Sequence, residues 1–190
     1  MQEFGKFDSV WVSTDHSGIS ECAQALGAKV YNRCCEHAVD NSTSISAVQE
    51  FLKDHQEVDV LCLIQCTSPF IQPEFLDAGY KLLLKGYEAV FSVTRDKKYR
   101  WRAVDISKNE STSPLNFNPE RRQRRQEMQG ELVENGMFYF TKRNLLEKGL
   151  FQGGRCGYVE IPSEYSIEID SMLDLTIAEQ ILSQELLNLN

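Results

Sequence analysis

Short apolar runs alternate with amphipathic stretches along the first half of the chain. The apolar runs are rich in β-branched and aromatic residues and predict strands at 10–14, 29–31, 58–64 and 89–93. Between them, apolar residues recur at helical spacing, first at Ile19, Cys22, Ala23 and Leu26. This alternation predicts an α/β domain with a mostly parallel sheet flanked by helices and joined by right-handed crossovers.

Residues typical of helix ends mark several boundaries of these elements. Gly27 and Gly86 follow the first and third predicted helices, and Pro73 stands at the start of the third. Ser171 and Asp174 form a capping-box pattern before the last helix. The apolar positions of that helix recur at four-residue steps: Leu173, Ile177, Ile181 and Leu182.

The middle of the chain is less regular. Residues 95–118 contain one weak strand pattern and many polar positions, and we interpret them as an excursion from the main sheet. The chain returns through a polar turn at 134–136 and an apolar strand that ends near 141. A short helix at 143–148 and a strand at 157–161 follow.

Polar segments follow three of the predicted strands. In parallel sheets, ligands bind beyond the carboxyl ends of the strands. Asp15, residues 65–68 and the segment after Val93 are therefore the places where a site is expected.

Length and composition limit the possible functions. At 190 residues and 42% hydrophobic, the chain suits one domain with a substantial core. A net charge of −8 argues against a general nucleic-acid binder. The absence of an 18-residue apolar run argues against a membrane span, and the six cysteines lack metal-finger spacing. The sequence contains no G-x-G-x-x-G motif, and this argues against an NAD-binding protein.

Four arginines within five residues, in the run RRQRR, form the strongest local charge in this acidic chain. They precede an apolar strand, MFYF, which begins at Met137. A cationic cluster beside a buried strand can hold an anion against a rigid core. A solvated basic loop or a nuclear localisation signal are the alternatives. The four residues are Arg121, Arg122, Arg124 and Arg125.

Two carboxylates stand two residues apart in the run IEID, just before the last helix. In a strand-like segment, Glu168 and Asp170 would point to the same side. Such a pair suits Mg²⁺, which is typically held by one or two carboxylates plus substrate phosphates. An ordinary acidic strand edge is the alternative. Arginines for an anion and carboxylates for Mg²⁺ together fit a nucleotidyl transfer.

Four segments resemble, in order and spacing, motifs of the acylneuraminate cytidylyltransferases, the CMP-sialic acid synthetases. SVWVSTDHSGISECAQALGAKV resembles their STDD segment, and IQCTSPF resembles their LQ-x-TSP turn. RRQRRQEMQGELVENGMFYF is similar to their RRQD…Y-x-NG motif, and IEIDSMLDLTIAEQ to their DID…D segment. The residues of these segments are most similar to those of the vertebrate members.

This resemblance implies a Rossmann-like fold of the nucleotide-diphospho-sugar transferase type. It also implies the reaction of CTP with N-acetylneuraminate to give CMP-N-acetylneuraminate and diphosphate. The catalytic arginine falls on Arg124, and the Mg²⁺ ligands fall on Glu168 and Asp170. The substrate-binding residues fall on Arg33, Ser42, Ser44, Gln65, Arg125 and Gln126.

The resemblance further implies a dimer or tetramer, with an excursion near 95–135 reaching into the neighbouring subunit's site. The RRQRR run makes the nucleus the expected compartment, with the cytoplasm as the alternative.

The sequence departs from the family pattern at three positions. Glu168 and Glu127 stand where the family has aspartate, and Val133 where it has tyrosine. The family's first strand and basic glycine-rich loop, which contact CTP, and the vertebrate phosphatase-like domain have no counterpart in residues 1–190. We therefore expect an N-terminally truncated domain with weak CTP binding. An inactive regulatory paralogue and a cytidylyltransferase for a related 2-keto sugar acid are the alternatives.

Overall fold

A computed structural model describes residues 2–184 and 186–187. Helices and strands alternate through most of it, as the hydrophobic pattern predicts. The strands are β1 (Trp11–Thr14), β2 (Lys29–Asn32), β3 (Val60–Ile64), β4 (Ala89–Asp96), β5 (Glu131–Lys142) and β6 (Cys156–Glu160). The helices are α1 (Ser17–Ala25), α2 (Ser44–Asp54), α3 (Pro73–Leu84), α4 (Arg143–Leu146) and α5 (Met172–Ser183).

The strands form two sheets. β1 and β2 pair in parallel, and the other four pair in the order β3-β5-β4-β6. β6 runs parallel to β4, whereas β5 runs antiparallel to both of its neighbours. The α/β prediction is therefore confirmed, and the larger sheet is mixed. The single reversed strand arises because β5 returns from the excursion directly beside β4, without a crossover helix.

β5 is longer than its apolar run indicates. The predicted polar turn at 134–136 lies inside the strand, as part of a bulge. The β4–β5 ladder pairs Phe91 with Tyr139 but Val93 with Glu134, so four residues of β5 oppose Ser92 alone. The Ser92 hydroxyl bridges this irregularity by accepting a hydrogen bond from the Phe138 N–H at 3.1 Å.

Two apolar clusters form the core. On one side of the larger sheet, Leu76 of α3 packs with Val90, Met137, Phe138 and Phe140, all almost fully buried. The second cluster centres on α2 and joins the two sheets. It contains Val48, Phe51, Leu52 and Leu146, with Trp11, Tyr31, Leu61 and Leu63 packed against them.

The predicted helix ends are confirmed in several places. Gly27 and Gly86 follow α1 and α3 with φ of 80° and 86°, in the left-handed region that favours glycine. Ser171 Oγ accepts the Asp174 N–H at 3.3 Å, and the Asp174 carboxylate accepts the Ser171 N–H at 2.8 Å. The apolar side chains of α5 are mostly exposed, and its one buried residue is Ala178.

The excursion comprises residues 97–130 and packs largely on itself. Tyr99, Trp101 and Phe117 form an aromatic group, and the Arg122 guanidinium lies 4.2 Å from the centre of the Tyr99 ring. Arg95 ties the base of the excursion to the sheet, because its guanidinium donates to both carboxylate oxygens of Glu160 at 2.8 and 2.7 Å.

Over the part of the chain that the structure describes, no helix has the length and apolar character needed to cross a membrane.

Arg143 closes the carboxyl end of α2. Its guanidinium donates to the carbonyl oxygens of Leu52, His55 and Val58 at 2.9, 2.8 and 3.3 Å. We expect Arg143→Met to lower the free energy of unfolding by about 2–3 kcal/mol, because these carbonyls lose donors where water has little access.

Urea denaturation of the variant measures this loss. Glu147→Gln is the matched control, since it removes the Arg143–Glu147 ion pair and keeps the carbonyl contacts. It should cost less than about 0.5 kcal/mol. Equal losses for the two variants would show that the ion pair, not the cap, is what stabilises the fold.

The Arg95–Glu160 pair predicts a pH dependence. The bidentate hydrogen bond from Arg95 lowers the pKa of Glu160. A carboxyl with a lowered pKa stabilises the folded state above its unfolded pKa of about 4.3 and loses that contribution as the pH falls through its folded value. Glu160→Gln should therefore lower the melting temperature at pH 7, and the difference should shrink as the pH falls through the lowered pKa of Glu160.

Thermal unfolding between pH 3 and 7 tests this expectation. Glu164→Gln serves as the control, because Glu164 is exposed and makes no ion pair with any described residue. A pH-independent difference between wild type and Glu160→Gln would contradict an electrostatic origin.

Candidate functional site

Polar side chains from three segments meet where the β3–β5 ladder ends. The last ladder pair is Ile64 with Phe138. Beyond it, Gln65 and Thr67 follow β3, Gly136 lies in the β5 bulge, and Glu168 comes from the segment after β6. We call Gln65, Thr67, Gly136 and Glu168 the edge cluster.

Hydrogen bonds connect the edge cluster. The Gln65 amide is oriented so that its nitrogen faces two hydrogen-bond acceptors. This nitrogen donates to Glu168 Oε1 and to the Gly136 carbonyl oxygen, each at 3.1 Å. Thr67 Oγ1 lies 3.4 Å from the same carboxylate oxygen. The cluster therefore brings a carboxylate, a hydroxyl and a backbone carbonyl together, all of them hard oxygen ligands.

Gly136 is required by the geometry of this cluster. Its φ is 71°, and a Cβ at this position would overlap the Gln65 amide and lie 3.1 Å from Glu168 Oε1. Bulges are common beside functional sites because they redirect the chain. Here the bulge lets the backbone carbonyl face Gln65 directly.

The segment that carries Glu168 is not a strand, contrary to the prediction for the IEID run. Residues 166–170 form no β-ladder. The Ile169 N–H donates to the Thr67 carbonyl at 2.8 Å, while the Asp170 N–H donates to the Asp174 carboxylate at 3.3 Å. Asp170 is exposed, and its own carboxylate forms no hydrogen bond or ion pair with a described residue.

A half-buried phenol, that of Tyr139, adds to the electrostatics of the site. Burial, followed by the nearby carboxylates of Glu134 and Glu168, raises the pKa of Tyr139 to about 12. The phenol is therefore neutral at physiological pH and donates to Glu134 Oε2 at 3.1 Å. Gln152 Nε2 donates to the same oxygen at 3.0 Å.

An open cleft of about 520 Å³ lies beside Glu134 on the β4–β5–β6 face. Its walls are mainly apolar, with one arginine and one glutamate. The lining residues are Phe91, Val93, Arg100, Leu132, Val133, Glu134 and Tyr158. The cleft has the size of a small-molecule site, although it is open to solvent.

Arg33 lies at the end of the smaller sheet. Its guanidinium donates to the Ser13 hydroxyl at 3.1 Å and to the Ser13 carbonyl at 2.8 Å. Ser42 hydrogen-bonds to Ser46 through their hydroxyls at 3.1 Å, and Ser44 is the exposed first residue of α2. These three predicted substrate-binding residues lie close together in the chain, between β2 and α2.

The arginine cluster lies on the excursion. Arg124, Arg125 and Gln126 are exposed and begin a single 3₁₀ turn, in which the Glu127 carboxylate accepts the Arg124 N–H at 3.2 Å. No hydrogen bond or ion pair within the described chain joins these three side chains to the edge cluster. Within one chain, then, Gln65 and Glu168 are brought together and the arginines stay apart from them.

Thr67, Gly136 and Tyr139 are part of the site but were not among the predicted functional residues. The polar segment 65–68 after a buried strand did indicate the position of Thr67. Nothing in the local sequence indicated that Gly136 would contact Gln65, or that the Glu168 carboxylate would affect Tyr139, since Gly136 and Tyr139 lie in a different, reversed strand.

The residues fit a divalent cation held mainly by substrate. No group of three or more His, Cys, Asp or Glu side chains in residues 2–184 and 186–187 is arranged to hold a metal ion. Glu168 and the Thr67 hydroxyl nevertheless offer hard oxygens, with Asp170 two residues away. Mg²⁺ typically needs only one or two carboxylates when phosphates and water complete its shell.

Comparison with solved structures identifies the fold. The chain resembles the CMP:2-keto-3-deoxy-manno-octonic acid synthetase complexed with CTP, with a TM-score of 0.65, 16% identity and coverage of 97% of this chain and 86% of that one. The 4-diphosphocytidyl-2C-methyl-D-erythritol synthase of Anaerococcus prevotii gives a TM-score of 0.66, 14% identity and coverage of 96% and 84%. The fold is thus the Rossmann-like nucleotide-diphospho-sugar transferase fold.

Comparison of sequences defines the family. The cytidylyltransferase family model matches residues 1–186, and the chain belongs to that family. It is 49% identical over 175 residues to N-acylneuraminate cytidylyltransferase A of Danio rerio, and 46% identical over 176 residues to the N-acylneuraminate cytidylyltransferase of Oncorhynchus mykiss. A Streptococcus agalactiae enzyme of the same name is 24% identical over 189 residues.

These alignments cover 90–92% of this chain and 40–42% of the relatives. The chain therefore spans about two-fifths of the length of the curated relatives it matches.

The steric demand at Gly136 can be tested by substitution. Gly136→Ala should lower the free energy of unfolding by about 1–2 kcal/mol from backbone strain, and by about 1–2 kcal/mol more because the methyl group displaces Gln65 and Glu168. The side-chain amide resonances of Gln65 should shift in heteronuclear NMR spectra.

Gly149→Ala is the matched control. Gly149 has a φ of 78°, but a Cβ there would meet nothing closer than 3.9 Å. Gly149→Ala should therefore lose only the unfolding free energy that backbone strain costs, and the Gln65 side-chain resonances should not change. Identical stability losses in the two variants would contradict the close approach at Gly136.

Proposed function

We propose that this chain is the catalytic domain of an N-acylneuraminate cytidylyltransferase, which converts CTP and N-acetylneuraminate to CMP-N-acetylneuraminate and diphosphate. Its vertebrate relatives carry that name. One geometric observation carries the proposal for this chain. Gln65, Gly136 and Glu168 come from three separate motifs of the acylneuraminate cytidylyltransferase pattern, and they meet within hydrogen-bonding distance at one sheet edge.

The reaction joins an oxygen of the sugar acid to the α-phosphorus of CTP, while the bond from that phosphorus to diphosphate breaks. The negative charge that develops on the phosphate oxygens needs nearby cations. Arg124, Arg125 and Gln126 would bind and orient the anionic substrates, with Arg33, Ser42 and Ser44 contacting them from the end of the smaller sheet. Gln65 would orient the sugar acid through its carboxamide.

Glu168 and Asp170 would hold the Mg²⁺ ion in this proposal. The bound ion would neutralise phosphate charge and favour departure of diphosphate. Glu168 has one carboxylate oxygen engaged by Gln65 and Thr67. Its second oxygen makes no hydrogen bond with a described residue, so the carboxylate can take a further ligand without losing its anchor.

The excursion supports a second part of the proposal, a homo-oligomer in which one subunit completes the site of another. Arg124 and Arg125 lie on an exposed segment with no hydrogen bond to the edge cluster of their own chain. Trp101 and Leu115 on the same segment are 51% and 57% exposed, so both offer apolar surface to a neighbouring copy. A neighbouring copy, in a dimer or tetramer, would bury them and receive the arginines.

For localisation we propose the nucleus, with the cytoplasm as the alternative. The supporting observation is that Arg121, Arg122, Arg124 and Arg125 are all exposed and therefore accessible to a transport receptor.

The function is tested by replacing the proposed metal ligand. Glu168→Gln should reduce the formation of CMP-N-acetylneuraminate from CTP and N-acetylneuraminate by about a hundredfold or more and raise the Mg²⁺ concentration needed for half-maximal rate. Glu168→Asp should retain most of the activity because it keeps a carboxylate. Arg124→Ala should lose about a hundredfold, the equivalent of roughly 3 kcal/mol of transition-state stabilisation.

Glu164→Gln and Arg121→Ala are the matched controls, since both remove an exposed charge of the same sign nearby in the chain. Both should keep the wild-type rate and Mg²⁺ dependence. Melting temperatures that change while the rates and Mg²⁺ dependence of all variants stay the same would refute the proposed roles. Binding of CTP without turnover in the wild type would instead favour a regulatory module.

A further inference from the structure

Three polar side chains meet at the β5 bulge, next to the edge cluster in the chain. Thr94 lies in β4, Asn135 precedes Gly136 in β5, and Ser166 follows β6. Thr94 Oγ1 and Ser166 Oγ are 2.6 Å apart. Asn135 Nδ2 lies 3.0 Å from each of these two oxygens. We call these three residues the anchor cluster.

The protons of the anchor cluster can be assigned without conflict. Ser166 Oγ lies 3.1 Å from the Pro162 carbonyl, which only accepts, so the serine proton points there. The Thr94 hydroxyl must then donate to Ser166, and the two amide protons of Asn135 go to Thr94 and Ser166. The Asn135 carbonyl oxygen accepts the Met137 N–H at 3.3 Å. Every donor is used, which is the condition under which a polar network gives rigidity.

The anchor cluster bonds to a segment outside both sheets, where the neighbouring Tyr165 also packs edge-to-face on Phe75 with ring centroids 5.4 Å apart. Residues 162–171 belong to no sheet and contain only one short 3₁₀ turn. At its beginning the Ile161 N–H donates to the Val93 carbonyl at 2.7 Å, and near its end the Ile169 N–H donates to the Thr67 carbonyl at 2.8 Å. Ser166 lies between these points and two residues before Glu168. The position of Glu168 therefore depends on the bonds of Ser166.

The same cluster also supports the other side of the site. Asn135 directly precedes Gly136 in the chain, and the Gly136 carbonyl oxygen accepts a hydrogen bond from Gln65. Fixing the Asn135 side chain to Thr94 thus fixes the bulge relative to β4. Both groups that Gln65 contacts, the Gly136 carbonyl and the Glu168 carboxylate, are held by one network.

We propose that Thr94, Asn135 and Ser166 are positioning residues that set the location of the Glu168 carboxylate relative to Gln65 and Gly136. They act through Glu168, and the proposal assigns them no contact with substrate or metal. The consequence for turnover rests on the cytidylyltransferase function proposed above, whereas the consequence for the geometry of residues 167–170 does not.

The first experiment measures geometry in the full chain without reference to activity. Thr94→Val removes the hydroxyl and keeps the shape of the side chain, and Thr94→Ser keeps the hydroxyl. Amide hydrogen exchange at Ile169 should be about tenfold or more faster in Thr94→Val and in Ser166→Ala, and close to wild type in Thr94→Ser. The Phe51 amide in α2 should exchange at the wild-type rate in all three.

A general loss of stability would instead accelerate exchange at Ile169 and Phe51 alike. Faster exchange at both amides would overturn the proposal. Unchanged exchange at Ile169 in both Thr94→Val and Ser166→Ala would overturn it as well. Using two variants on different segments keeps the test decisive even if one of them folds poorly.

The second experiment is a double-mutant cycle with Glu168→Gln. Thr94→Val alone should lower the rate by about tenfold and raise the half-maximal Mg²⁺ concentration, with rescue by Thr94→Ser. In the Glu168→Gln background, Thr94→Val should have no further effect on rate. If the two substitutions instead lowered the rate by independent factors that multiply in the double variant, Thr94 would not act through Glu168.

The two experiments separate the failure of the proposal from the failure of the proposed function. If the wild-type chain forms no CMP-sugar, the function is wrong, and the exchange rates still decide whether the anchor cluster positions Glu168.

Discussion

The irregular pairing of β5 is the feature on which the rest of the structure depends. β5 hydrogen-bonds to both β3 and β4, and its residues Met137, Phe138 and Phe140 are among the most buried side chains of the core. At 135–138 its regular pairing with β4 is interrupted, opposite Ser92. The backbone that would have continued the ladder is thereby turned toward Gln65. A regular strand at this point would bury the groups that the site needs.

Rigidity is distributed unevenly around this bulge. Packing against α2 and α3 fixes the strands, and the Ser92 hydroxyl replaces a missing ladder bond. The segment with Glu168 is held differently, by hydrogen bonds at its two ends and by the anchor cluster between them. Such a segment can bring a carboxylate close to a sheet edge, where a strand could not bend sharply enough. The position of this segment therefore depends on a few polar groups.

Charge is distributed as unevenly as rigidity. The chain has a net charge of −8, yet residues 97–130 carry nine basic and four acidic residues. Arg122 stacks on Tyr99 and Arg100 pairs with Glu131, whereas the side chains of Arg121, Arg124 and Arg125 stay exposed to solvent. The chain thus combines an acidic body with one basic segment, a charge distribution that favours the homo-oligomer proposed above.

Local pattern was sufficient for most helices and strands. Helical spacing predicted α1 and α2, Gly27 predicted the end of α1, and Pro73 and Gly86 predicted the two ends of α3, because these signals arise from neighbours within one or two turns. The capping box of α5 is a signal of the same kind and was also found. The run RRQRR and the pair Glu168 and Asp170 were visible as chemistry, since charge needs no fold to be recognised.

Tertiary structure decided the direction of β5, the bulge at Gly136 and the neighbours of Glu168. The polar residues 134–136 have the composition of a turn, but pairing with β4 on one side and contact with Gln65 on the other keep them in the strand. The IEID run has the alternation of a strand, yet it forms no ladder: the Ile169 N–H bonds to the Thr67 carbonyl beyond β3, and the Asp170 N–H bonds to the Asp174 carboxylate. Sequence alone determined which residues carry charge and where most of the helices and strands lie. Which of those residues meet was decided by long-range pairing, because the contacts of Gln65 with Gly136 and Glu168 join positions 71 and 103 residues apart.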